Sequence, residues 1–375
     1  MHISIVIVSY NSLPFLQKCL DSIFRNTPNI SCEIIIVDNA SSDDSVAFVR
    51  DLYSNVRLVV NQTNMGFAAA VNQGLALTKG TYVVLLNPDA ELLPVALERM
   101  IMFLEAHPRA AAVGPRQWID SDCTWQGSIV PSPPHWRLLL SRLPGLRRLN
   151  LARRQLVKHW KLNRTIWRNE EPVATPYLSG ACLLLRRTTL EAVGGLDEGY
   201  FLFYEDLDLC DRLRSAGWEL YAVPSAGVVH TGLGSVRSLQ DGGARYLLNS
   251  GGHYLAQHGD PSTRALWSLL QLRNAFRVGT TTIHTHHSNL SESMTLKFQW
   301  PSIQNATAYW VEIAAEPLFL YTIATEVKEQ ICVIPKELTK LSQIKHIFWR
   351  IAAVKKGGQL GSFTEECYER IPRRI

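Results

Sequence analysis

Two short polar clusters combine residue types and spacing that could do chemistry. In the first, Asn87-Pro88-Asp89 directly follows the apolar run Tyr82–Leu86, which predicts a strand buried on both faces. Proline cannot donate to a sheet ladder, so the strand should end at Pro88 and leave Asp89 at its carboxyl end. Hard divalent cations take oxygen ligands, and a carboxylate beside an amide at this position could hold such a cation on a diphosphate.

The second cluster, Glu205-Asp206-Leu207-Asp208, begins a predicted helix that runs to about residue 215. Carboxylates in a first helical turn are stabilised by the helix dipole, so a purely structural role is open to all three acids. The largely aromatic run Phe201–Tyr204 directly before them is harder to explain by capping, since aromatic walls commonly bind a sugar face or exclude water. For the first cluster, the structural alternative is a turn that carries solvated acids.

The elements that must position these clusters alternate between strands and helices. This rhythm is typical of a doubly wound, mostly parallel α/β sheet, and ligands bind such sheets at the carboxyl ends of the strands. Small and polar residues follow each predicted strand, which favours a site at Asp38 and Asp89 over simple turns. The strands are expected at Ile3–Val8, Glu33–Val37, Val56–Val60 and Tyr82–Leu86, and the helices at Leu13–Arg25, Ser45–Tyr53 and Ala68–Thr78.

The bulk composition is that of an ordinary globular protein. With 375 residues, 46% hydrophobic and 19% charged, the chain is long enough for two domains. No run reaches the roughly 18 apolar residues that span a bilayer, and we expect no signal peptide, because Met1-His2 leads straight into the first strand. The seven cysteines are scattered and never in CxxC spacing, which favours a reducing cytoplasm.

Positive charge is concentrated in residues 135–169, which contain ten Lys and Arg residues and no acid. These charges exceed the net +5 of the whole chain, so the remainder is net negative, and nucleic-acid binding by the whole chain is not implied. Leucines and tryptophans, among them Trp160 and Trp167, alternate with the bases. This pattern is typical of an amphipathic element on an anionic membrane surface. The alternative is a solvated helical hairpin that packs on the core.

Eight short motifs follow one another along the first 240 residues, namely Ile5–Asn11, Ile36–Asp43, Asn64–Gly74, Leu86–Asp89, Leu178–Cys182, Gly194–Glu198, Phe203–Cys210 and His230–Ser235. Together they resemble the motifs of the inverting glycosyltransferase family 2, whose members have the GT-A nucleotide-sugar fold. Each motif alone is weakly specific, whereas eight in the family's order are strongly specific. The Asn-Pro-Asp form is most similar to the rhamnosyltransferase-type branch.

The resemblance implies that the ends of the first two strands line a nucleoside pocket. A carboxylate such as Asp38 only accepts hydrogen bonds, which suits a base N–H or a ribose hydroxyl, and Gly66 lets the backbone approach a ligand closely. The alternatives are a plain strand exit at Ser9 and Tyr10 and a simple turn at Gly66. The residues expected to bind the nucleotide-sugar are Ser9, Tyr10, Asn11, Asp38, Asn64, Gly66, Asn72, Asn87 and Asp89.

Asn87-Pro88-Asp89 stands where the family usually has Asp-x-Asp, so an amide replaces one carboxylate. The carbonyl oxygen of Asn87 can still bind a cation, but the site loses one charge. The resemblance implies that Mg²⁺ or Mn²⁺ is held jointly by Asp89 and the diphosphate. His230 matches a position that supplies a metal ligand in some relatives, and neutral imidazole suits Mn²⁺. A structural histidine is the alternative.

An inverting transfer needs a base that takes the proton of the acceptor hydroxyl. By resemblance Asp206 is this base and Glu205 binds or orients the acceptor, with Glu205 as the alternative base, while Asp208 is expected to support the helix. The small residues Gly180 and Ala181 open a predicted strand. They could leave room for a sugar to lie against the backbone, and the alternative is that they pack closely under a helix. The residues expected at the acceptor site are Gly180, Ala181, Tyr204 and Glu205.

The pattern changes after residue 278. Residues 279–290 form a polar linker whose three histidines are spaced more like an incidental tract than a metal site. Alternating apolar residues between 291 and 375 predict a small β-sandwich, which resembles a fibronectin type III module. The expected GT-A domain, residues 1–278, comprises a nucleotide-sugar half (1–115), the basic amphipathic insertion (116–170) and an acceptor half (171–278).

The resemblance implies an enzyme that moves a sugar from dTDP-rhamnose or a UDP-sugar to a hydroxyl of a cell-surface glycan or lipid-linked oligosaccharide. We expect it in the cytoplasm, associated with the inner face of the cell membrane. One alternative is a non-catalytic nucleotide-sugar- or carbohydrate-binding protein on the same fold, which Asn87 favours. The other is a sugar nucleotidyltransferase, which would need a basic, glycine-rich loop after the first strand, and Ser9-Tyr10-Asn11-Ser12 is not such a loop.

Overall fold

The structure, a computed structural model, describes residues 2–131, 151–231, 244–275, 297–314, 322–334, 346–363 and 367–370. The chain divides into two compact units. The first contains Met1–Gln117 and Ile129–Ser268, and the second contains Trp118–Ser128 and Leu269–Ile375. The expected linker 279–290, with its histidines, and residues 132–150 of the basic segment lie outside the described residues.

A nine-stranded sheet organises the first unit. Its strands are β1 (His2–Ser9), β2 (Ser31–Asp38), β3 (Arg57–Val60), β4 (Tyr82–Leu86), β5 (Ala90–Leu92), β6 (Ala110–Trp118), β7 (Val173–Ala174), β8 (Cys182–Arg186) and β9 (Glu219–His230). They lie in the order β3-β2-β1-β4-β8-β6-β9-β5, with β7 also paired to β9. The first four run parallel, and β8 runs antiparallel to β4. The prediction of a mostly parallel α/β sheet is confirmed.

Helices cover both faces of this sheet because its central strands are apolar on both sides. The helices that the structure describes are α1 (Leu13–Asn26), α2 (Ser45–Leu52), α3 (Phe67–Leu75), α4 (Ala96–Ala106), α5 (Leu151–Arg168), α6 (Arg187–Ala192), α7 (Glu205–Ser215), α8 (Ala244–His258) and α9 (Pro261–Ala275). Ile3, Ile5 and Ile7 of β1 pack in one core cluster with apolar residues of α1, α2 and α4. Val6 lies on the opposite face, against Gly74 of α3.

The described residues of the second unit contain seven strands. They are β10 (Lys297–Gln299), β11 (Ala308–Ala314), β12 (Thr322–Val327), β13 (Ile331–Val333), β14 (His346–Val354), β15 (Leu360–Phe363) and β16 (Cys367–Arg370). One sheet has the order β12-β11-β14-β15, with β16 also on β14, and β10 pairs with β13 in a second sheet. All these pairs are antiparallel. The prediction of a small all-β region is confirmed, and the likeness to a fibronectin type III module remains a hypothesis.

Residues 118–128, here called the inserted segment, belong to this second unit although they follow β6 in the chain. The Gln126 N–H donates to the Ala324 carbonyl (2.8 Å), and the Ala324 N–H donates to the Gln126 carbonyl (2.9 Å), so the segment extends the sheet beyond β12. Trp125 is 4% exposed and packs in the same core as Phe298 and Trp349. The second unit therefore departs from the expected bounds, which assigned residues 116–170 to an insertion of the first domain.

Helix α5 contains the end of the basic segment. Its Trp160 and Trp167 are buried, with 8% and 3% exposure, and do not form the membrane-facing surface that the pattern favoured. The helix packs on β9, and Trp160, Ile166 and Trp167 are buried while Lys158 and Lys161 are exposed. Within the described residues, none of the helices combines the length and apolar composition that a bilayer span needs.

Candidate active site

The first part of the site lies at the carboxyl ends of β1 and β2, which pair so that Ser9 stands beside Asp38. Asp38 is 1% exposed, and its carboxylate accepts hydrogen bonds from the N–H (2.9 Å) and the hydroxyl (2.6 Å) of Ser41. The Ser41 hydroxyl accepts in turn from the Asn11 N–H (2.9 Å). The turn at Ser41 thus brings Ser9, Asn11 and Asp38 together, and Tyr10 is half-buried.

Asn39, which the sequence pattern did not single out, organises the next loop. Its side chain is buried, and its Nδ2 donates to Asn64 Oδ1 (2.8 Å) and to the Gly66 carbonyl (3.1 Å). Its Oδ1 accepts from the Met65 N–H (3.0 Å) and from Asn61 Nδ2 (3.1 Å). Asn64 is thereby placed beside the end of β2. The available signal was an amide in a polar turn, and this pattern does not distinguish a positioning side chain from a solvated one.

Gly66 connects this loop to the acidic helix. Its φ of +88° lies in the region that favours glycine, and an added Cβ would stand 2.8 Å from the Phe201 carbonyl oxygen. The next residue, Phe67, donates its N–H to the same carbonyl (2.6 Å). The glycine therefore allows close approach to a protein segment, the aromatic run before α7. Nucleotide-sugar binding by Gly66 remains a prediction.

The side-chain amide of Asn72 holds the glycine-rich loop 194–199. Its Nδ2 donates to the Leu196 carbonyl (2.8 Å) and to Glu198 Oε1 (2.9 Å), and its Oδ1 accepts from the Leu196 N–H (3.0 Å). Both amide hydrogens are used in these bonds. The structure thus gives Asn72 a positioning role, and its expected contact with the nucleotide-sugar remains a prediction.

The candidate metal ligands lie on neighbouring strands. Residues Ala90 and His230 are paired partners in β5 and β9, and His230 Nε2 lies 3.4 Å from Asp89 Oδ1. The Asp89 side chain is 2% exposed and that of His230 is 17% exposed. A carboxylate oxygen with an imidazole nitrogen suits Mn²⁺, and the carboxylate also suits Mg²⁺. In the part of the chain that the structure describes, no three His, Cys, Asp or Glu residues that could hold a metal ion lie together.

Asn87 ties this turn to the second acidic cluster. Its N–H donates to the Ala181 carbonyl (2.9 Å), and the adjacent Leu86 and Cys182 are paired partners in β4 and β8. Ala181 is buried and follows Gly180, which contacts the carboxylate of Asp206. The structure therefore brings Asn87, Gly180, Ala181 and Asp206 into one region at the end of β4.

Backbone strain precedes the acidic helix. Phe203 and Tyr204 have φ values of +70° and +68°, and two successive bulky residues in the left-handed region are rare. Such conformations persist where surrounding structure imposes them, and they cluster at active sites. Tyr204 is the N-cap residue of α7, so the strained pair sets the direction in which Glu205 and Asp206 leave the chain.

Asp206 is held by two main-chain donors. The Gly180 N–H donates to its Oδ2 (2.9 Å) and the Leu207 N–H to its Oδ1 (2.8 Å). An added Cβ on Gly180 would lie only 3.3 Å from the Asp206 Cβ, so glycine allows this close approach. Burial raises the pKa of Asp206, and the two N–H donors oppose that effect by favouring the ionised carboxylate.

Glu205 lies next to Asp206 in a different environment. It is 7% exposed, and its Oε2 has no hydrogen-bond partner among the described residues. Burial, and then the neighbouring charge of Asp206, raise the pKa of Glu205 to about 8. Near neutral pH the glutamate therefore keeps its proton, while the main-chain donors to Asp206 favour ionisation of that carboxyl. Two carboxyls whose pKa values are pushed apart in this way are typical of acid–base sites.

Helix α8 supports the helix that carries these carboxyls. Asp208 is fully buried and accepts from Arg212 Nε (2.7 Å), and His258 Nε2 lies 2.7 Å from its other oxygen. His253 Nε2 lies 2.9 Å from Asp197 Oδ2 in the preceding loop. The supporting role expected for Asp208 fits these contacts. The histidines were missed because isolated histidines on a helix give no signal of their partners.

Residues 4–194, more than half of the chain, match the family described as Glycosyl transferase family 2. The chain belongs to this family. The expectation of a glycosyltransferase with the mixed α/β sheet of the GT-A fold is thereby confirmed. The family match ends before Glu205 and Asp206, so the assignment of the catalytic carboxyls depends on the resemblance of the later motifs and on the geometry described above.

Relatives with assigned activities extend the similarity. The chain is 34% identical over 243 residues to N-acetylglucosaminyl-diphospho-decaprenol L-rhamnosyltransferase of Mycobacterium tuberculosis, an alignment that covers 60% of this chain and 75% of that protein. It is 24% identical over 262 residues to Rhamnosyltransferase WbbL of Escherichia coli, covering 68% and 92%. A solved mannosyltransferase from Pyrobaculum calidifontis, in complex with GDP-Man and Mn²⁺, is 18% identical with a TM-score of 0.43, covering 74% of this chain and 76% of that one.

Proposed function

We propose that this family 2 glycosyltransferase transfers a sugar with inversion from a nucleoside-diphosphate sugar, dTDP-rhamnose or a UDP-sugar, to an acceptor hydroxyl. The acceptor oxygen forms a bond to the anomeric carbon as the bond from that carbon to the diphosphate oxygen breaks. The hydroxyl proton goes to Asp206, and the nucleoside diphosphate leaves. The observation that carries this proposal is the Asp206 carboxyl, which accepts from the Gly180 and Leu207 N–H groups directly beside the buried carboxyl of Glu205.

The two carboxyls take different parts in this step. A carboxylate with a raised pKa is a better proton acceptor than an ordinary aspartate, and the Gly180 and Leu207 N–H groups favour the ionised form that can take the proton. The protonated Glu205 can donate a hydrogen bond, so it suits the orientation of an acceptor oxygen. Tyr204, Gly180 and Ala181 border the same region and are proposed to contact the acceptor.

On the donor side, we assign the nucleoside to the pocket at Ser9, Tyr10, Asn11 and Asp38. Asn64 lies beside it through its bond to Asn39. Mg²⁺ or Mn²⁺ would be held on the diphosphate by Asp89, His230 and the side-chain carbonyl of Asn87. When bound, the cation supplies positive charge that stabilises the departing diphosphate.

We further propose that the acceptor is a cell-surface glycan or a lipid-linked oligosaccharide. The support is the Mycobacterium tuberculosis relative, whose name specifies a decaprenol-linked acceptor and L-rhamnose. The proposed attachment to an anionic membrane surface through residues 135–169 depends on exposed bases such as Lys158 and Lys161, because Trp160 and Trp167 are buried. Such an enzyme would act at the cytoplasmic face of the membrane.

A test measures release of nucleoside diphosphate from a panel of dTDP- and UDP-sugars, with Mn²⁺, Mg²⁺ or EDTA, and with lipid-linked saccharide acceptors. Metal-dependent release by the wild type, lost in Asp206→Asn, supports the proposal. One observation favours a second candidate, a non-catalytic nucleotide-sugar-binding protein, since Asn87 replaces a family carboxylate. Donor-induced thermal stabilisation without release for any donor and acceptor would favour that candidate and reject the transferase.

A further inference from the structure

Strand β5, which follows the turn at Asp89, is held by side chains of a helix that lies outside the sheet. β5 is the last strand in the sheet order, and its only paired neighbour among the described strands is β9. An edge strand presents main-chain donors and acceptors that need other partners. At Leu92 these partners are side chains of α1: the Leu92 N–H donates to Ser22 Oγ (2.9 Å), and its carbonyl accepts from Asn26 Nδ2 (2.7 Å).

These side chains form a polar stripe on the inner face of an otherwise amphipathic helix. Cys19, Ser22 and Asn26 are three and seven residues apart, so they share one face of α1. Cys19 Sγ lies 3.6 Å from the Asn87 carbonyl oxygen, at the start of the turn that carries Asp89. Ser22 is 4% exposed and is satisfied twice, because its hydroxyl also donates to the Cys19 carbonyl (2.7 Å).

The stripe therefore contacts both ends of the segment that contains Asp89. β5 also sets the distance between the two candidate ligands, because Ala90 is paired with His230 directly after Asp89. Displacement of β5 would move the Asp89 carboxylate relative to the His230 ring, which lie 3.4 Å apart. Divalent cations require their ligands at defined distances, so such a displacement would weaken cation binding before it unfolded the sheet.

We propose that Ser22 and Asn26 are positioning residues for the cation site, acting through the main chain of β5. This inference rests on the proposed function, in which Asp89 and His230 hold the cation. The two side chains replace a neighbouring strand at Leu92 and fix Asp89 without touching the cation or the donor. Helix α1 thus packs its apolar residues in the core and also contacts the residues on either side of Asp89.

The test measures binding of Mn²⁺ at a fixed temperature, by the loss of the free-ion paramagnetic resonance signal, with and without UDP or dTDP. The variants are Ser22→Ala and Asn26→Ala. The matched control is Thr27→Ala, because Thr27 is also buried at the end of α1, but its hydroxyl contacts the Ile23 carbonyl (2.8 Å) and Cys32 Sγ (3.8 Å) and makes no hydrogen bond to β5 among the described residues. Asp89→Ala defines the signal of a protein that lacks the site.

We expect Ser22→Ala and Asn26→Ala each to raise the Mn²⁺ dissociation constant about three- to tenfold, as the loss of a hydrogen bond to a buried main-chain group predicts. Thr27→Ala should lower the melting temperature similarly and leave Mn²⁺ binding within about twofold of wild type. Faster hydrogen exchange in peptides spanning 88–93 in the two variants, but not in Thr27→Ala, would support the same conclusion.

Two results overturn the inference, and they are distinguishable. If wild type binds Mn²⁺ and Asp89→Ala does not, while Ser22→Ala and Asn26→Ala match Thr27→Ala, the stripe is structural and the proposed metal site stands. If wild type and Asp89→Ala bind Mn²⁺ equally, the metal assignment itself fails. Asn26 is only half-buried, so Asn26→Ala keeps the test valid if Ser22→Ala does not fold.

Discussion

Two glutamates are buried among the described residues, one in each unit, and their surroundings differ. Glu312 is 1% exposed; its Oε2 accepts from Arg350 Nε (2.8 Å) and its Oε1 from the Trp310 indole N–H (3.1 Å). Glu205 is 7% exposed, and its Oε2 is without a hydrogen-bond partner as far as the structure describes the chain. Its immediate neighbour is a second carboxyl, Asp206, in place of a cation.

The difference separates an acid whose charge the fold compensates from one that we propose to act at the acceptor site. Burial of a carboxylate is costly unless it is paired and hydrogen-bonded. Glu312 stands directly opposite Arg350 in the β11–β14 register, so the fold compensates its charge. At Glu205 the cost is reduced only by keeping the proton. A buried acid left in that state, directly after two residues with strained backbone, is typical of sites where stability is given up for chemistry.

The largest expected effect comes from replacing Asp206, the proposed base. Asp206→Asn keeps the shape of the side chain but cannot accept the acceptor's proton, so we expect turnover to fall by about 10²–10⁴-fold. Release of nucleoside diphosphate under saturating donor and acceptor measures this loss. Donor binding, followed by thermal stabilisation, should remain, since Asp206 is not assigned to the donor.

Asp208→Asn serves as a control for the loss of one buried charge in the same helical turn, because Asp208 is bonded to Arg212 and His258. It should cost stability more than turnover. If Asp206→Asn retained more than about a tenth of the wild-type rate, the base would lie elsewhere, and Glu205 would be the next candidate.

The second prediction removes the cation that compensates the charge of Glu312, so that Glu312, like Glu205, is buried without a cation beside it. Arg350→Met removes the cation and leaves a buried carboxylate, which should cost roughly 3–5 kcal/mol in the free energy of unfolding of the second unit. Urea unfolding followed by tryptophan fluorescence measures this loss, since Trp125, Trp300 and Trp349 pack in that unit's core.

The double variant Arg350→Met with Glu312→Leu is the matched comparison, because replacing both members of a buried ion pair by apolar residues is often neutral or stabilising. We expect it to recover most of the loss. Equal instability of the single and double variants would show that packing around Arg350, and not the uncompensated charge, stabilises the unit.

The contrast between the two glutamates was only partly accessible from sequence. Apolar runs gave the strands that end at Ser9, Asp38 and Leu86, and side-chain burial on both faces followed from their composition. The carboxyls at those ends could therefore be predicted as a group. Glu205 and Asp206 were predicted together, but their opposite environments depend on Gly180, which is distant in sequence and donates to only one of them.

Other features depend on contacts that no local pattern encodes. The inserted segment joins the second unit because Trp125 fits a core built from residues after 297, whereas its neighbours in sequence belong to the first unit. Trp160 and Trp167 followed an interfacial pattern, yet tertiary packing buried them. Amides such as Asn39 and Asn72 hydrogen-bond to loops that are distant in sequence, and only the folded sheet brings these loops close to them.

A third, smaller effect is expected when the Gly180 N–H, which donates to Asp206 and not to Glu205, is displaced. Gly180→Ala places a Cβ about 3.3 Å from the Asp206 Cβ and 3.6 Å from its Oδ2, so the carboxylate must shift from the Gly180 N–H. We expect kcat to fall by about 10- to 100-fold with little change in donor KM, as small displacements of a catalytic group do.

Gly361→Ala is the control, because its added Cβ meets only ordinary contacts at 3.5 Å or more, in β15 of the second unit. It should leave kcat unchanged. A rise in donor KM with unchanged kcat in Gly180→Ala would place Gly180 at the donor site and would contradict its role beside the base.

The smallest expected effect concerns stability and pH at Glu205. The pKa of this glutamate is raised to about 8 in the folded protein and lies near 4.3 when unfolded. Between these values the unfolded chain releases the proton and the folded chain keeps it, so the folded state binds more protons and this residue's contribution to stability falls as pH rises. Below pH 4 both states are protonated and the contribution is absent; above pH 8 it is constant.

Glu205→Gln removes this dependence, so relative to wild type the variant should gain stability between pH 4 and pH 8, on the order of 2 kcal/mol. Thermal and urea unfolding at several pH values measure the gain. In an Asp206→Asn background the gain should shrink, because the charge of Asp206 is the second cause of the raised pKa. A difference that does not change with pH would mean that Glu205 is ionised in the folded protein, and the two buried glutamates would then not differ in charge state.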